Sequence, residues 1–332
     1  MTTQDQDILD ALARLGLDPR PPVQRLSGGV SCDVLRVELA DGPVCVKRAL
    51  PQLKVAADWK APVERSHSEV LWLKAVQDIP GVIAPHVLAE SEADHLFVMS
   101  WFDAADHPVW KSQLAAGFVD IGLARQLGAA LAAIHSTTAR KPEMAADFAT
   151  GDLFHALRLE PYLLHTAKAH PDLATRLTAL AERTLATGKA LVHGDVSPKN
   201  ILAGPDGPVF LDAECAWWGE PAFDLAFCLN HLLLKGVWKP AHIPAYLAAF
   251  EALKSAYMAG VDWEPAADLD RRVAALLSAL LLARVDGKSP AEYLTSDRDK
   301  DFVRTAAHSF VQQDNLDLAS LAGQWTDRVQ SL

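Results

Sequence analysis

Basic residues are in short supply in this chain: 31 lysines and arginines face 42 acids across 332 residues, a net charge of −11. A nucleic-acid partner needs a basic face for its phosphates, so none is expected. Cysteine is also scarce. Cys32, Cys45, Cys215 and Cys228 are scattered without a CxxC pair. That argues against a disulfide frame or a zinc site and suits reduced thiols in or near the core of a cytoplasmic protein. No apolar run reaches membrane-spanning length, the longest being Val273–Ala283, and a membrane partner is not expected. The first ten residues, MTTQDQDILD, are acidic and lack the apolar centre of a secretion signal. Internal repeats and low-complexity tracts are missing. So is GxxxxGK, which rules out a Walker-type phosphate loop.

What is present concentrates in Leu191–Glu214, LVHGDVSPKNILAGPDGPVFLDAE. It reads as an apolar strand end, a polar loop with His193, Asp195 and Asn200, a Gly/Pro turn and a second apolar strand ending in Asp212 and Glu214. Phosphoryl transfer from ATP depends on positioning and on Mg²⁺ electrostatics. An acid orients and deprotonates the acceptor hydroxyl, while an amide and a second acid hold the metal. Asp195 fits the first role, Asn200 and Asp212 the second. Pro198 fixes the turn between Asp195 and Asn200. A period of two over Val209–Glu214 puts Phe210, Asp212 and Glu214 on one face, and carboxylates so spaced repel unless a cation sits beside them.

Upstream, the strand Val44–Arg48 turns Lys47 to the side of Cys45, away from Val44 and Val46. In the helix expected over about Val63–Gln77, Glu69 shares a side with Trp72, Leu73 and Val76. An acid on an apolar stripe calls for a partner, and Lys47 is the expected one.

These motifs resemble the aminoglycoside phosphotransferase and choline kinase superfamily, which shares the protein-kinase fold, with His193-Gly194-Asp195 in place of His-Arg-Asp. The likeness continues through Asp212-Ala213-Glu214 and Gly219–Ala226 and covers about Leu26 to Leu234. It implies an α+β, bilobal fold with an antiparallel-sheet N-terminal lobe, 1–102, and a mainly helical C-terminal lobe, 103–332. It also implies ATP and Mg²⁺ as cofactors. By the same resemblance Ser27, Gly28 and Gly29 cover the ATP phosphates, Lys47 touches the α- and β-phosphates, and Met99, Ser100 and Trp101 form the hinge that meets adenine. Asp224 would brace the catalytic loop through its backbone amides, and Ile121–His135 would underlie that loop.

The implied function is an ATP-dependent small-molecule kinase acting on a hydroxyl of an amino sugar, amino alcohol or related metabolite. Glu214 is a candidate alternate metal contact, or an acid that caps the next loop. With Trp217, Trp218, Arg284, Asp286 and Lys288 it is also a candidate for the acceptor site. The two tryptophans suit a cationic head by cation–π contact, and the acidic net charge favours a cationic or neutral acceptor. Ser197, Lys199 and the Trp pair depart from the superfamily pattern, which leaves the acceptor open. The alternatives are a catalytically silent nucleotide-binding regulator and a peptide kinase. The first is disfavoured because all the key residues are present together, the second because Asp212 runs almost directly into Gly219–Asp224, with no room for an activation loop.

Overall fold

The computed structural model describes residues 3–26, 32–49 and 65–330. The N-terminal part is an antiparallel sheet of five strands: β1 (Arg20–Arg25), β2 (Cys32–Leu39), β3 (Gly42–Ala49), β4 (Val87–Ser91) and β5 (Leu96–Ser100). Their spatial order is β1-β2-β3-β5-β4. β2 and β3 form a hairpin whose turn enters β3 at Gly42, at φ 120°, a conformation that favours glycine.

Alternation along β3 and β5 serves two apolar layers at once. Val44, Val46, Leu96 and Val98 face helix α1 (Thr3–Arg14), which buries Ile8, Leu9, Ala11 and Leu12 against them. Cys45, Phe97 and Met99 face the other way, into the main core with Val70, Trp72, Leu73 and Val76 of α2 (Arg65–Val76). Because both faces are covered, β5 reads as a continuous apolar run.

The change from sheet to helix falls between β5 and α3 (Trp110–Ala115). α4 (Ile121–Ala139) follows, and then a helical stretch of three parts: α5 (Gly151–Phe154), a π-helical run His155–Leu164 and α6 (His165–Ala169). Pro161 lies inside the π-helical run, where wider winding relieves the clash between its ring and the preceding turn. Pro171 does interrupt the helix, ahead of α7 (Ala174–Ala186).

Two short antiparallel pairs then frame the central loop. β6 (Ala190–Val192) pairs with β9 (Trp217–Gly219), and β7 (Ile201–Gly204) pairs with β8 (Gly207–Phe210). The remainder is helical: α8 (Pro221–Trp238), α9 (Ile243–Ala259), α10 (Ala266–Asp286), α11 (Asp297–Val311) and α12 (Leu318–Val329). α8 is buried from Pro221 through Val237, so its polar residues Asp224, Asn230, His231 and Lys235 sit inside the protein. In α10 the stretch from Val273 to Ala283 is almost wholly buried. Among the described residues no helix is long and apolar enough to cross a membrane. The architecture is the expected α+β one, with a sheet lobe and a mainly helical lobe.

Candidate active site

The loop between β6 and β7 is held by α8. Asp224, fully buried in the first turn of that helix, accepts hydrogen bonds from the backbone N–H groups of His193 (2.7 Å) and Gly194 (2.8 Å). Burying a carboxylate demands such partners, and His135 of α4 adds a third contact at 3.3 Å. His135 also meets the Tyr257 hydroxyl at 2.7 Å, so it is a satisfied core histidine. The helix cap is Glu220, which accepts from Ala222 N–H, so Asp224 is free to serve the loop. Gly194 takes φ 78°, and a Cβ there would lie 2.5 Å from the carbonyl oxygen of Cys215. Glycine is required at that turn.

His193 accepts from the Asp195 N–H at Nδ1 (3.2 Å), and its Nε2 lies 3.1 Å from the Leu211 carbonyl. That pairing fits the neutral Nε2–H tautomer. Burial pushes the ring pKa below its usual value despite the nearby Asp224, Asp195 and Asp212. Trp72 of α2 sits edge-on to His193 with ring centroids 4.9 Å apart, which couples the first lobe to the loop.

Asp195 is buried, and its carboxylate lies 3.0 Å from Arg158 and 3.1 Å from Lys199. Burial alone raises a carboxylate pKa, but the two cations hold Asp195 below the ordinary range. Arg158 comes from the π-helical run and also donates to the Gly194 carbonyl at 2.6 Å. Asn200 donates from Nδ2 to the Asp195 carbonyl at 3.0 Å, which points its Oδ1 elsewhere.

Lys47 bridges the lobes. Its ammonium is 2.6 Å from Glu69, 2.6 Å from Asp212 and 3.8 Å from Glu214. Burial disfavours the ammonium, yet Asp212, Glu69 and Glu214 together hold its pKa well above the ordinary value. Burial lifts Glu69 to about 7, aided by Asp212 and Glu214 and opposed by Lys47. Asp212 is kept well below its usual value because Lys47 and Lys199 outweigh burial. Arg65, one helical turn before Glu69, donates to Glu214 at 3.1 Å, and Cys32 Sγ donates to the same carboxylate at 2.9 Å.

Sequence reasoning runs the second strand on to Glu214. In the structure it stops at Phe210, and Asp212 has φ 68°, a left-handed conformation that Asp tolerates better than most residues. Strand alternation therefore does not bring Asp212 and Glu214 together; the kink does. Together with Glu69 they place three carboxylate oxygens within 4.8 Å of one another. Hard oxygen donors of this kind suit Mg²⁺.

Beside this centre a cavity of about 360 Å³ is lined by Asp195, Asp212, Glu214 and Arg284. Trp217 and Trp218 do not line it. They lie on β9, where Trp217 stacks on Phe154 with ring centroids 4.3 Å apart and Trp218 runs antiparallel to Leu191. Asp286 and Lys288 are also outside it. Asp286 holds Arg304 at 2.7 Å and His170 at 2.9 Å, while the Lys288 N–H donates to the Pro161 carbonyl. Of the expected hinge, Met99 is buried and the Ser100 N–H is taken by the His86 carbonyl (2.9 Å). Trp101 lies under the Arg36 guanidinium, 5.5 Å from its centroid. Ser27, Gly28 and Gly29 fall outside the described residues.

Sequence reasoning misses Arg158, Arg65, Lys111 and Lys235, whereas Arg284, expected at the acceptor site, does line the cavity. Arg65 carries a usable signal, since it precedes Glu69 by four residues on one helix face. Arg158 carries none.

A two-lobed fold with clustered carboxylates and a bridging lysine at the lobe junction defines a kinase-like protein. Residues 22–269 match the phosphotransferase enzyme family, and the chain belongs to it. It is 28% identical over 233 residues to methylthioribose kinase of Citrobacter koseri, covering 60% of this chain and 56% of that protein. The counterpart from Erwinia tasmaniensis is 27% identical over 239 residues, covering 62% and 58%. The chain thus spans little more than half the length of these curated relatives. Among solved structures it is similar in fold to a choline/ethanolamine kinase family protein from Mesorhizobium loti, with TM-score 0.51, 17% identity and coverage of 97% and 99%. It is also similar to amicoumacin kinase hAmiN in complex with AMP-PNP, with TM-score 0.56, 15% identity and coverage of 94% and 96%.

Proposed function

We propose that this protein is an ATP-dependent phosphotransferase that moves the γ-phosphoryl group of ATP to a hydroxyl of a small molecule. The observation that carries this reading is the convergence, at one cavity edge, of Asp195 from the central loop, Asp212 from the following kink and Lys47 held by Glu69. The family match, the methylthioribose kinases among its relatives and the AMP-PNP bound by one fold neighbour support it.

In this mechanism Asp195 accepts a hydrogen bond from the acceptor hydroxyl and takes its proton. The hydroxyl oxygen bonds to the γ-phosphorus as the bond to the ADP oxygen breaks. Arg158 and Lys199 keep Asp195 ionised, which also makes it a weak base. Its larger contribution is orientation, as a loose phosphoryl-transfer transition state requires. Lys47 leaves Asp212 for the α- and β-phosphates and keeps Glu69 as its anchor. Asn200, Asp212 and, as an alternate, Glu214 would hold Mg²⁺, which would neutralise charge on the phosphate oxygens. The chain around Met99, Ser100 and Trp101 receives adenine. Only four residues separate Asp212 from β9, too few for a peptide-docking loop. The test is a screen of hydroxylated metabolites for Mg·ATP-dependent mass gain by mass spectrometry. ADP formation that depends on an acceptor and disappears in Asp195→Asn is the expected result. Mg·ATP binding without turnover of any acceptor would favour a silent regulator.

A further inference from the structure

The far end of the cavity has a chemistry of its own. α8 presents Phe227, His231 and Lys235 on one face, four residues apart. Phe227 lies under the Arg158 guanidinium, which itself contacts Asp195, so this face starts at the catalytic loop. At 1.5 Å per residue, Lys235 lies roughly 12 Å further along the axis. Its side chain is buried at 1% exposure, and among the described residues its ammonium has no ion pair or side-chain hydrogen bond. It has only the faces of Tyr293 (4.3 Å) and Trp238 (5.4 Å).

The opposite wall repeats the pattern. Arg284, also buried, spends one guanidinium nitrogen on Ser289, and its Nε has no partner. The buried hydroxyl of Tyr293 has none either. The acid on this side, Glu292, is exposed at the rim; it pairs with Lys111 at 2.6 Å and, at 3.9 Å, with Arg284. His231 is held neutral by burial and by the cations around it. Burial, with Lys111 and Arg284 nearby and only Glu292 opposing them, brings the Lys235 pKa down to about 8. A buried ammonium without a counter-ion, a guanidinium Nε and a tyrosine hydroxyl without acceptors are costly unless something fills the cavity.

We propose that the acceptor carries an anionic group, a carboxylate or a phosphate, which seats on Lys235 and Arg284 while its hydroxyl meets Asp195. This rests on the phosphotransferase reading above and narrows its substrate class: a hydroxylated acid about two to three helical turns long, not an amino sugar or amino alcohol. A cationic acceptor meets like charge here, and a neutral one leaves Lys235 unpaired.

The experiment uses matched acceptors with Mg·ATP: hydroxylated carboxylates beside their amides, sugar phosphates beside their parent sugars, and amino sugars. The acids are expected to exceed their neutral partners in kcat/KM by about 100-fold, within the range for losing one partner of a buried charge pair. The better of the two acid series identifies the anion. Lys235→Met should raise KM for the acid by a similar factor and leave the neutral analogue unchanged, and Lys235→Arg should restore part of the preference. Equal or better turnover of neutral or cationic acceptors overturns the anionic site and leaves the phosphotransferase reading standing. If no acceptor is turned over, calorimetric titration with succinate decides: binding that Lys235→Met abolishes supports the anion site while the phosphotransferase reading falls, and no binding removes the anion site.

Discussion

The two ends of the cleft balance their charges in opposite ways. At the lobe junction three carboxylates, Glu69, Asp212 and Glu214, share Lys47 and Arg65, so that end is acid-rich and every acid there has a cation against it. At the α8 end Lys235 and Arg284 outnumber the acids, and donors stand unpaired. Asp195 lies between the two, held by Arg158 and Lys199. An acid excess favours a divalent cation, and a cation excess favours an anion. The whole-chain charge of −11 predicts neither end, because burial and local pairing set the field inside a cleft, while surface acids are screened over about 10 Å.

Asp224 holds the loop that carries Asp195 between the two ends, so the largest effect is expected there. Asp224→Ala leaves the His193 and Gly194 amides buried without an acceptor, at roughly 1–3 kcal/mol each. Urea denaturation should show a loss of that size, with activity abolished; unchanged stability would mean that other contacts hold the loop. A second prediction concerns the junction alone. Lys47→Ala and Glu69→Ala should each impair use of ATP, and the double variant should be little worse than either. The coupling expected from a double-mutant cycle is on the order of 1–3 kcal/mol. Fully additive losses would separate Lys47 from Glu69 and erase the contrast drawn here.

The smallest predicted effect is a pH dependence at Asp195. Its folded pKa lies below the unfolded value of about 3.9, so its ionisation contributes stability that is fully present above that value. The contribution falls away as pH drops through the folded pKa. Relative to Asp195→Asn, the wild-type stability difference should stay flat from pH 8 to about 5 and shrink only below that. A difference that already changes between pH 6 and 8 would mean that Arg158 and Lys199 do not control this carboxylate.

Much of the junction is legible in the sequence because its residues sit in local patterns. Lys47 follows from strand alternation, Glu69 from a helical stripe, and Asp195 and Asn200 from one short loop. Asp212 and Glu214 are legible as residues, but the backbone kink that turns them is not. The acceptor end is harder to read because it is assembled from α8, α10 and the π-helical run, which lie far apart in sequence. Trp217 and Trp218 attract attention by chemistry alone, yet β9 pairing carries them into packing against Phe154 and the Gly188 turn. Lys235 is recoverable in principle: Asp224, Phe227, His231 and Lys235 mark one face of a helix otherwise made of core residues, and a lysine there asks for a reason. Arg158 offers no such cue, since an arginine in a polar helical stretch is ordinarily solvated.

The central claim is that Asp195 and Asp212 divide the work, one serving the acceptor hydroxyl and the other the metal nucleotide. Calorimetric Mg·ATP affinity of the wild type, Asp195→Asn and Asp212→Asn, beside turnover, tests it directly. Asp212→Asn should weaken Mg·ATP binding as well as turnover, since an amide oxygen is a poorer ligand for a hard cation than a carboxylate. Asp195→Asn should bind Mg·ATP nearly as the wild type does and lose kcat by roughly 10²-fold, the low end for loss of a general base. Equal loss of nucleotide affinity in both variants, or wild-type turnover by Asp195→Asn, would contradict the account.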